Sequence, residues 1–112
     1  MLISMVSMRA AAGRRDGFVE LCREGIPRAL RAGCLSAEIL VDTEDADAIV
    51  LFERWPSEEV FQAFAATEWA NAELMARYPE LADGMPALRK FSLMGYADSR
   101  FTQTSDQVFP AR

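Results

Sequence analysis

Between Ile3 and Met8 apolar side chains fall on both faces of an extended segment, and a basic turn containing Gly13 follows. A strand covered on both sides produces that pattern. From Arg14 the period lengthens: Phe18, Leu21, Cys22, Gly25, Ile26, Ala29 and Leu30 recur at helical spacing, with Arg15, Glu20, Arg23, Glu24 and Arg31 opposite them. This predicts an amphipathic helix ended by Gly33. Pro27 removes one backbone donor and crowds the preceding turn, so a kink or break is expected near Gly25. Cys34 to Asp42 then alternates, with Leu35, Ala37, Ile39 and Val41 on a buried face and Ser36, Glu38 and Asp42 on the other.

The acidic stretch Thr43 to Asp47 reads as a solvated turn, and Ala48 to Trp55 as the second strand of an antiparallel hairpin. As a cation site that turn lacks the spacing and central glycine of an EF-hand. Ser57 is placed to cap a helix whose first turn carries Glu58 and Glu59 and whose apolar face is Val60, Phe61, Phe64 and Ala65. A second helical piece is expected from Glu68 to Arg77, stopped by Tyr78-Pro79. A last strand is expected from Leu88 to Tyr96. The order strand, helix, strand, strand, helix, strand predicts an α+β, ferredoxin-like βαββαβ domain: a four-stranded antiparallel sheet with both helices on one face. Residues 1–97 form that domain, and 98–112 a tail laid on a partner subunit. The other sheet face stays greasy with nothing in the chain to cover it, which predicts a homodimer.

Composition narrows the chemistry. The chain has 112 residues, 51% apolar and 26% charged, the balance of one folded domain. Its net charge of -5 repels a phosphate backbone, so a general nucleic-acid binder is excluded. It has 0 histidines, which removes the usual proton shuttle and every His-dependent triad. No apolar run approaches the ~20 residues that cross a bilayer, so no membrane partner is expected. The apolar start lacks a basic leader and reads as a strand, which implies a cytoplasmic location with Cys22 and Cys34 reduced and buried.

Ala32-Gly33-Cys34-Leu35 leading into Glu38-Ile39, then Asp42, then Leu51-Phe52-Glu53-Arg54-Trp55-Pro56-Ser57-Glu58-Glu59-Val60-Phe61, resembles the central segment of the antibiotic biosynthesis monooxygenase family. The resemblance covers about residues 1–97 and implies a dimeric ferredoxin-like α/β barrel. The family it resembles includes cofactor-free oxygenases of polycyclic phenols or quinols, haem-degrading enzymes and many members with no known activity. Many members carry a histidine after the Ser-Glu-Glu helix start, where counting places Phe64 here. Haem-degrading relatives use a histidine as iron ligand and an asparagine on the first strand, where this chain offers only Ser4 or Ser7. Haem is therefore disfavoured and no cofactor is expected.

An electron-rich phenol, quinol or anthrone, once deprotonated, passes an electron to O2 without flavin or metal, so the protein need only bind it, promote proton loss and exclude water. Phe52, Phe61, Phe64, Trp69 and Tyr78 are candidates for a flat aromatic cavity between helices and sheet, with core packing as the alternative for Phe52 and Phe61. Proton-handling candidates are Tyr78, Glu68, Glu73, Asn71 and Arg54, of which Arg54 suits a phenolate. Trp69 and Tyr78 are the leading catalytic pair, and Phe52, Arg54, Phe61, Phe64 and Asn71 the substrate-binding set. A non-catalytic dimeric ligand-binding or sensor domain on the same scaffold is the alternative function.

Overall fold

A computed structural model describes residues 1–97 and Ser99. The elements are β1 (Leu2–Arg9), α1 (Arg15–Arg31), β2 (Ser36–Val41), β3 (Ala48–Trp55), α2 (Glu58–Trp69), α3 (Ala72–Leu81) and β4 (Ala87–Ser92). The sheet is antiparallel in the order β2-β3-β1-β4, the ferredoxin-like arrangement expected. Register sets the two faces. Leu2, Ser4, Val6 and Met8 stand opposite Trp55, Glu53, Leu51 and Ile49 and face the helices, whereas Ile3, Met5, Val50, Phe52 and Arg54 belong to the outer face.

Two apolar clusters hold the helices to the sheet. One gathers Ala29, Cys34, Trp55 and Phe61, the other Ala10, Phe18 and Ile49. Helix α1 closes through Gly33 at φ 112, a conformation only glycine adopts freely, and a Cβ there would meet Val60 at 3.1 Å. The chain then turns so that the Cys34 N–H donates to Ala29 O at 3.0 Å. Ser57 caps α2 as expected, its hydroxyl accepting from the Val60 N–H at 3.3 Å.

Several expectations need correction. Helix α1 is continuous through Pro27, with no break near Gly25. Pro27 and Arg23 are exposed, so the carbonyl that loses its donor faces water. Leu35 is not on the buried face: it is 52% exposed, because the chain bends there before β2 starts and Cys34 takes the inward place. The second helical piece starts at Ala72, not Glu68, since the Asn71 side chain accepts from the Leu74 N–H at 3.1 Å and separates α2 from α3. Nor does Tyr78-Pro79 stop α3, which runs to Leu81. Its last turn is tied to the end of β1 by Ala11 N–H to Leu81 O and Asp83 N–H to Arg9 O, both 2.8 Å.

Strand β4 ends at Ser92, short of Tyr96, and past its end the Leu93 N–H still donates to the Met1 carbonyl at 3.2 Å. The Tyr96 ring instead lies 4.8 Å from the Arg54 guanidinium, on the outer face. Apart from Ser99, the tail expected from Asp98 onward lies outside the described residues. The acidic turn satisfies itself: Asp42 accepts from Glu44 N–H, Asp45 from Asp47 N–H, and Arg9 pairs with Asp45 at 2.8 Å. Among the described residues no helix is long and apolar enough to cross a membrane.

Candidate functional site

Between the two clusters the helices stand off the sheet and leave a cavity of about 270 Å³, open on one side. Small side chains make the hollow. Cys22 and Gly25 on α1 and Ala65 on α2 stand where larger residues would fill it, and Val6, Leu51 and Glu53 form the floor. Phe61, Phe64, Trp69 and Tyr78 all line it, so four of the residues singled out from the sequence converge. Trp69 is 56% exposed at the rim, whereas Tyr78 packs edge-on against Phe18 at 5.6 Å. The Tyr78 hydroxyl donates to Gly84 O at 3.4 Å, and burial raises the phenol's pKa.

Three candidates stand elsewhere. Phe52 and Arg54 occupy the outer face, because the inward register on β3 belongs to Ile49, Leu51, Glu53 and Trp55. Arg54 packs on Tyr96 there. Asn71 serves as the α3 cap and lines a second cavity of about 120 Å³ between α1 and α3. Arg77 of that cavity pairs with both of its carboxylates, Glu24 at 2.8 Å and Glu73 at 3.8 Å. Glu68 does reach the main cavity, where Arg28 engages both its oxygens, Nη2 to Oε1 at 2.9 Å and Nε to Oε2 at 3.1 Å. This pair ties α1 to α2 across the cavity wall.

The group missed by sequence reasoning is Glu53. It is 4% exposed in the cavity floor, opposite the fully buried Ser4 on β1, whose hydroxyl donates to Glu53 Oε1 at 3.4 Å. The cross-strand register places this carboxylate on the same face as Ile49, Leu51 and Trp55, whereas in the sequence Val50 and Phe52 make the opposite parity equally apolar. Burial pushes the Glu53 carboxyl above its usual 4.5; the Trp55 indole and the Ser4 hydroxyl oppose the rise, and the Glu68 charge adds to it. The Trp55 N–H is buried short of full hydrogen-bond geometry, yet its positive end lies near enough to act on the carboxylate. Cys22, in the same wall, is pushed up to about 11, first by burial and then by Glu53. It is therefore an inert thiol near neutrality.

The Glu53 environment has a consequence for stability. Between pH 4.5 and the higher native value, the folded protein keeps a proton that the unfolded chain has lost. This contribution is full below pH 4.5 and is lost as pH rises through the native pKa. Urea titrations between pH 4 and 8 should show a decline in stability that Glu53→Gln removes. Identical slopes in the two proteins would contradict the assignment.

Among the described residues no group of three or more Cys, Asp or Glu side chains is placed to hold a metal ion. A family model described as antibiotic biosynthesis monooxygenase matches residues 1–78. No curated protein matches the chain. Among solved structures, a Chloroflexus aurantiacus J-10-fl protein attributed to the antibiotic biosynthesis monooxygenases is 25% identical, over 88% of this chain and 98% of that one, with TM-score 0.70. A crystal structure of an antibiotic biosynthesis monooxygenase is 20% identical over 83% and 98%, TM-score 0.70. Rv0793 from Mycobacterium tuberculosis is 17% identical over 87% and 98%, TM-score 0.69.

Proposed function

Because the chain belongs to the antibiotic biosynthesis monooxygenase family, we propose that it is a cofactor-independent monooxygenase of a small aromatic substrate of the quinol, phenol or anthrone type. The supporting observation is the half-open apolar cavity of about 270 Å³ walled by Phe61, Phe64, Trp69 and Tyr78. That volume lies just below the usual ~300–1,000 Å³ of ligand sites and suits a compact fused-ring molecule. The substrate supplies all the electrons. A ring CH2, present in an anthrone and in the keto tautomer of a phenol or quinol, plus O2 becomes C=O plus H2O, so both oxygen atoms and all four electrons are accounted for without an added reductant.

In this function Phe61 and Phe64 hold the ring faces, and Trp69 shields the open side from water. Tyr78 turns its hydroxyl from Gly84 O to the substrate oxygen and stabilises the charge that develops there. The raised Tyr78 pKa keeps that hydroxyl a donor. In this reading two copies join through their outer sheet faces, and the apolar side chains exposed there, Leu40 and Phe91 among them, support that homodimer. The test is oxygen uptake by metal-stripped protein with a panel of quinols and anthrones. Turnover that falls about 10-fold or more in Tyr78→Phe is expected. Binding of these compounds without uptake would instead support a ligand-binding or sensor domain, and neither binding nor uptake would overturn the aromatic assignment.

A further inference from the structure

We propose that Glu53 is the general base of this site, accepting the acidic proton of the substrate at the cavity floor. This rests on the oxygenase function above and adds a residue to it. The other titratable groups that share the chamber are each committed elsewhere or hold their protons. On α1, Cys22 stays a thiol near neutrality, since its pKa is pushed up to about 11. Arg28 on α1 and Glu68 on α2 are occupied by each other. Tyr78 on α3 keeps its proton, because burial raises its pKa, and its hydroxyl already acts as a donor. On β4, Lys90 stands beyond Ser4 in the sheet and is held by Glu58. Among the described residues Glu53 has no cation in ion-pair contact, and Ser4 Oγ is its one side-chain donor at hydrogen-bond geometry.

That isolation is what a base requires. A carboxylate paired with arginine holds its charge too well to take a proton, whereas one desolvated among apolar side chains gains basicity. Its raised pKa moves it toward neutrality, where a base is effective. Position fits as well. Glu53 and its hydroxyl partner sit on the two central strands, the most rigid part of the sheet, beneath the aromatic walls.

The proton traffic balances. Glu53 takes the first proton from the substrate, and the resulting carbanion or phenolate passes its electron pair to O2 in two one-electron steps, forming a C–O bond. Protonated Glu53 returns the proton to the distal oxygen, giving a hydroperoxide. Glu53 then removes the second hydrogen from the same carbon as a proton. The C=O bond forms, the O–O bond breaks and hydroxide leaves, taking the proton back from Glu53 as water. The carboxylate ends as it began. The same carboxylate disfavours substrates that carry a negative charge at the end entering first, so the preferred class is neutral and weakly acidic.

Anthrone is the probe, with binding followed by quenching of tryptophan fluorescence and turnover by oxygen uptake corrected for spontaneous oxidation. Glu53→Gln should still bind anthrone but lose about 100-fold or more of kcat. Wild-type kcat should rise with pH along one ionisation whose midpoint lies above 4.5. Ser4→Ala should move that midpoint higher, because the hydroxyl stabilises the charged carboxylate. Wild-type kcat retained in Glu53→Gln, or a midpoint unmoved by Ser4→Ala, would overturn the base assignment while leaving the oxygenase standing. Should Glu53→Gln fail to fold, the Ser4→Ala midpoint decides alone. Wild-type protein that neither binds nor oxidises anthrone or its quinol analogues would overturn both.

Discussion

Trp55→Ala is expected to lower stability by about 3–5 kcal/mol, the cost of emptying a large aromatic site in a packed core. Trp55 is 0% exposed and touches the rings of Phe61 at 5.7 Å and Phe64 at 5.3 Å, so it joins the end of β3 to α2. Its cluster also holds Ala29 and Cys34, which anchor the end of α1. Removing the indole loosens both helices where they meet the sheet. The indole N–H also lies near enough to act on the buried Glu53 carboxylate, and alanine removes that interaction as well. Against a total of about 5–15 kcal/mol for a domain of this kind, that is from about a fifth to all of the stability. Trp55→Phe keeps most of the packing, so it should cost much less. Urea denaturation of the three proteins checks this. An alanine variant within about 1 kcal/mol of wild type would show that the Trp55 cluster does not carry the fold.

The second large effect concerns the outer sheet face. Ile3, Met5, Val50 and Phe52 run through its centre, with Leu40 and Phe91 at the edges, 46% and 37% exposed. Arg54 and Arg89 stand among them, over the rings of Tyr96 and Phe91. If two copies pack these faces together, Phe52→Asp introduces a carboxylate twice into one interface, because a twofold axis duplicates every change. Each buried unpaired charge costs several kcal/mol, and every ~1.4 kcal/mol is a factor of ten in association. Sedimentation velocity at micromolar concentration should therefore find a wild-type dimer and a Phe52→Asp monomer. Leu30→Asp, on the exposed side of α1, should leave the dimer intact. A wild-type monomer at that concentration, or an unchanged Phe52→Asp dimer, would remove the outer face as the contact.

Where local pattern and tertiary demand agreed, the elements were readable from the residues. The Ser57 cap, the Gly33 stop and the antiparallel β2–β3 hairpin each follow from one backbone requirement acting over a few positions. Proline positions were not. Pro27 lies on an exposed helix face, where water can take the freed carbonyl, and beyond Pro79 backbone bonds to β1 hold the last turn of α3. Propensity states what proline costs and leaves open whether the surroundings offset it.

The candidate site divided in the same way. Phe61, Phe64, Trp69 and Tyr78 were found because aromatic residues on α2 and α3 have few places to go except the helix–sheet interface. Phe52 and Arg54 were misplaced and Glu53 was overlooked for a single reason: in a strand rich in apolar residues, the choice of inward parity belongs to the whole sheet. Chain order, hydrophobic period and capping residues thus specified the topology, since each acts through nearby backbone geometry. Which side of β3 faces the helices, and hence whether an arginine or a glutamate sits under the aromatic cavity, was settled by cross-strand register and by two clusters packing on either side of an unfilled gap.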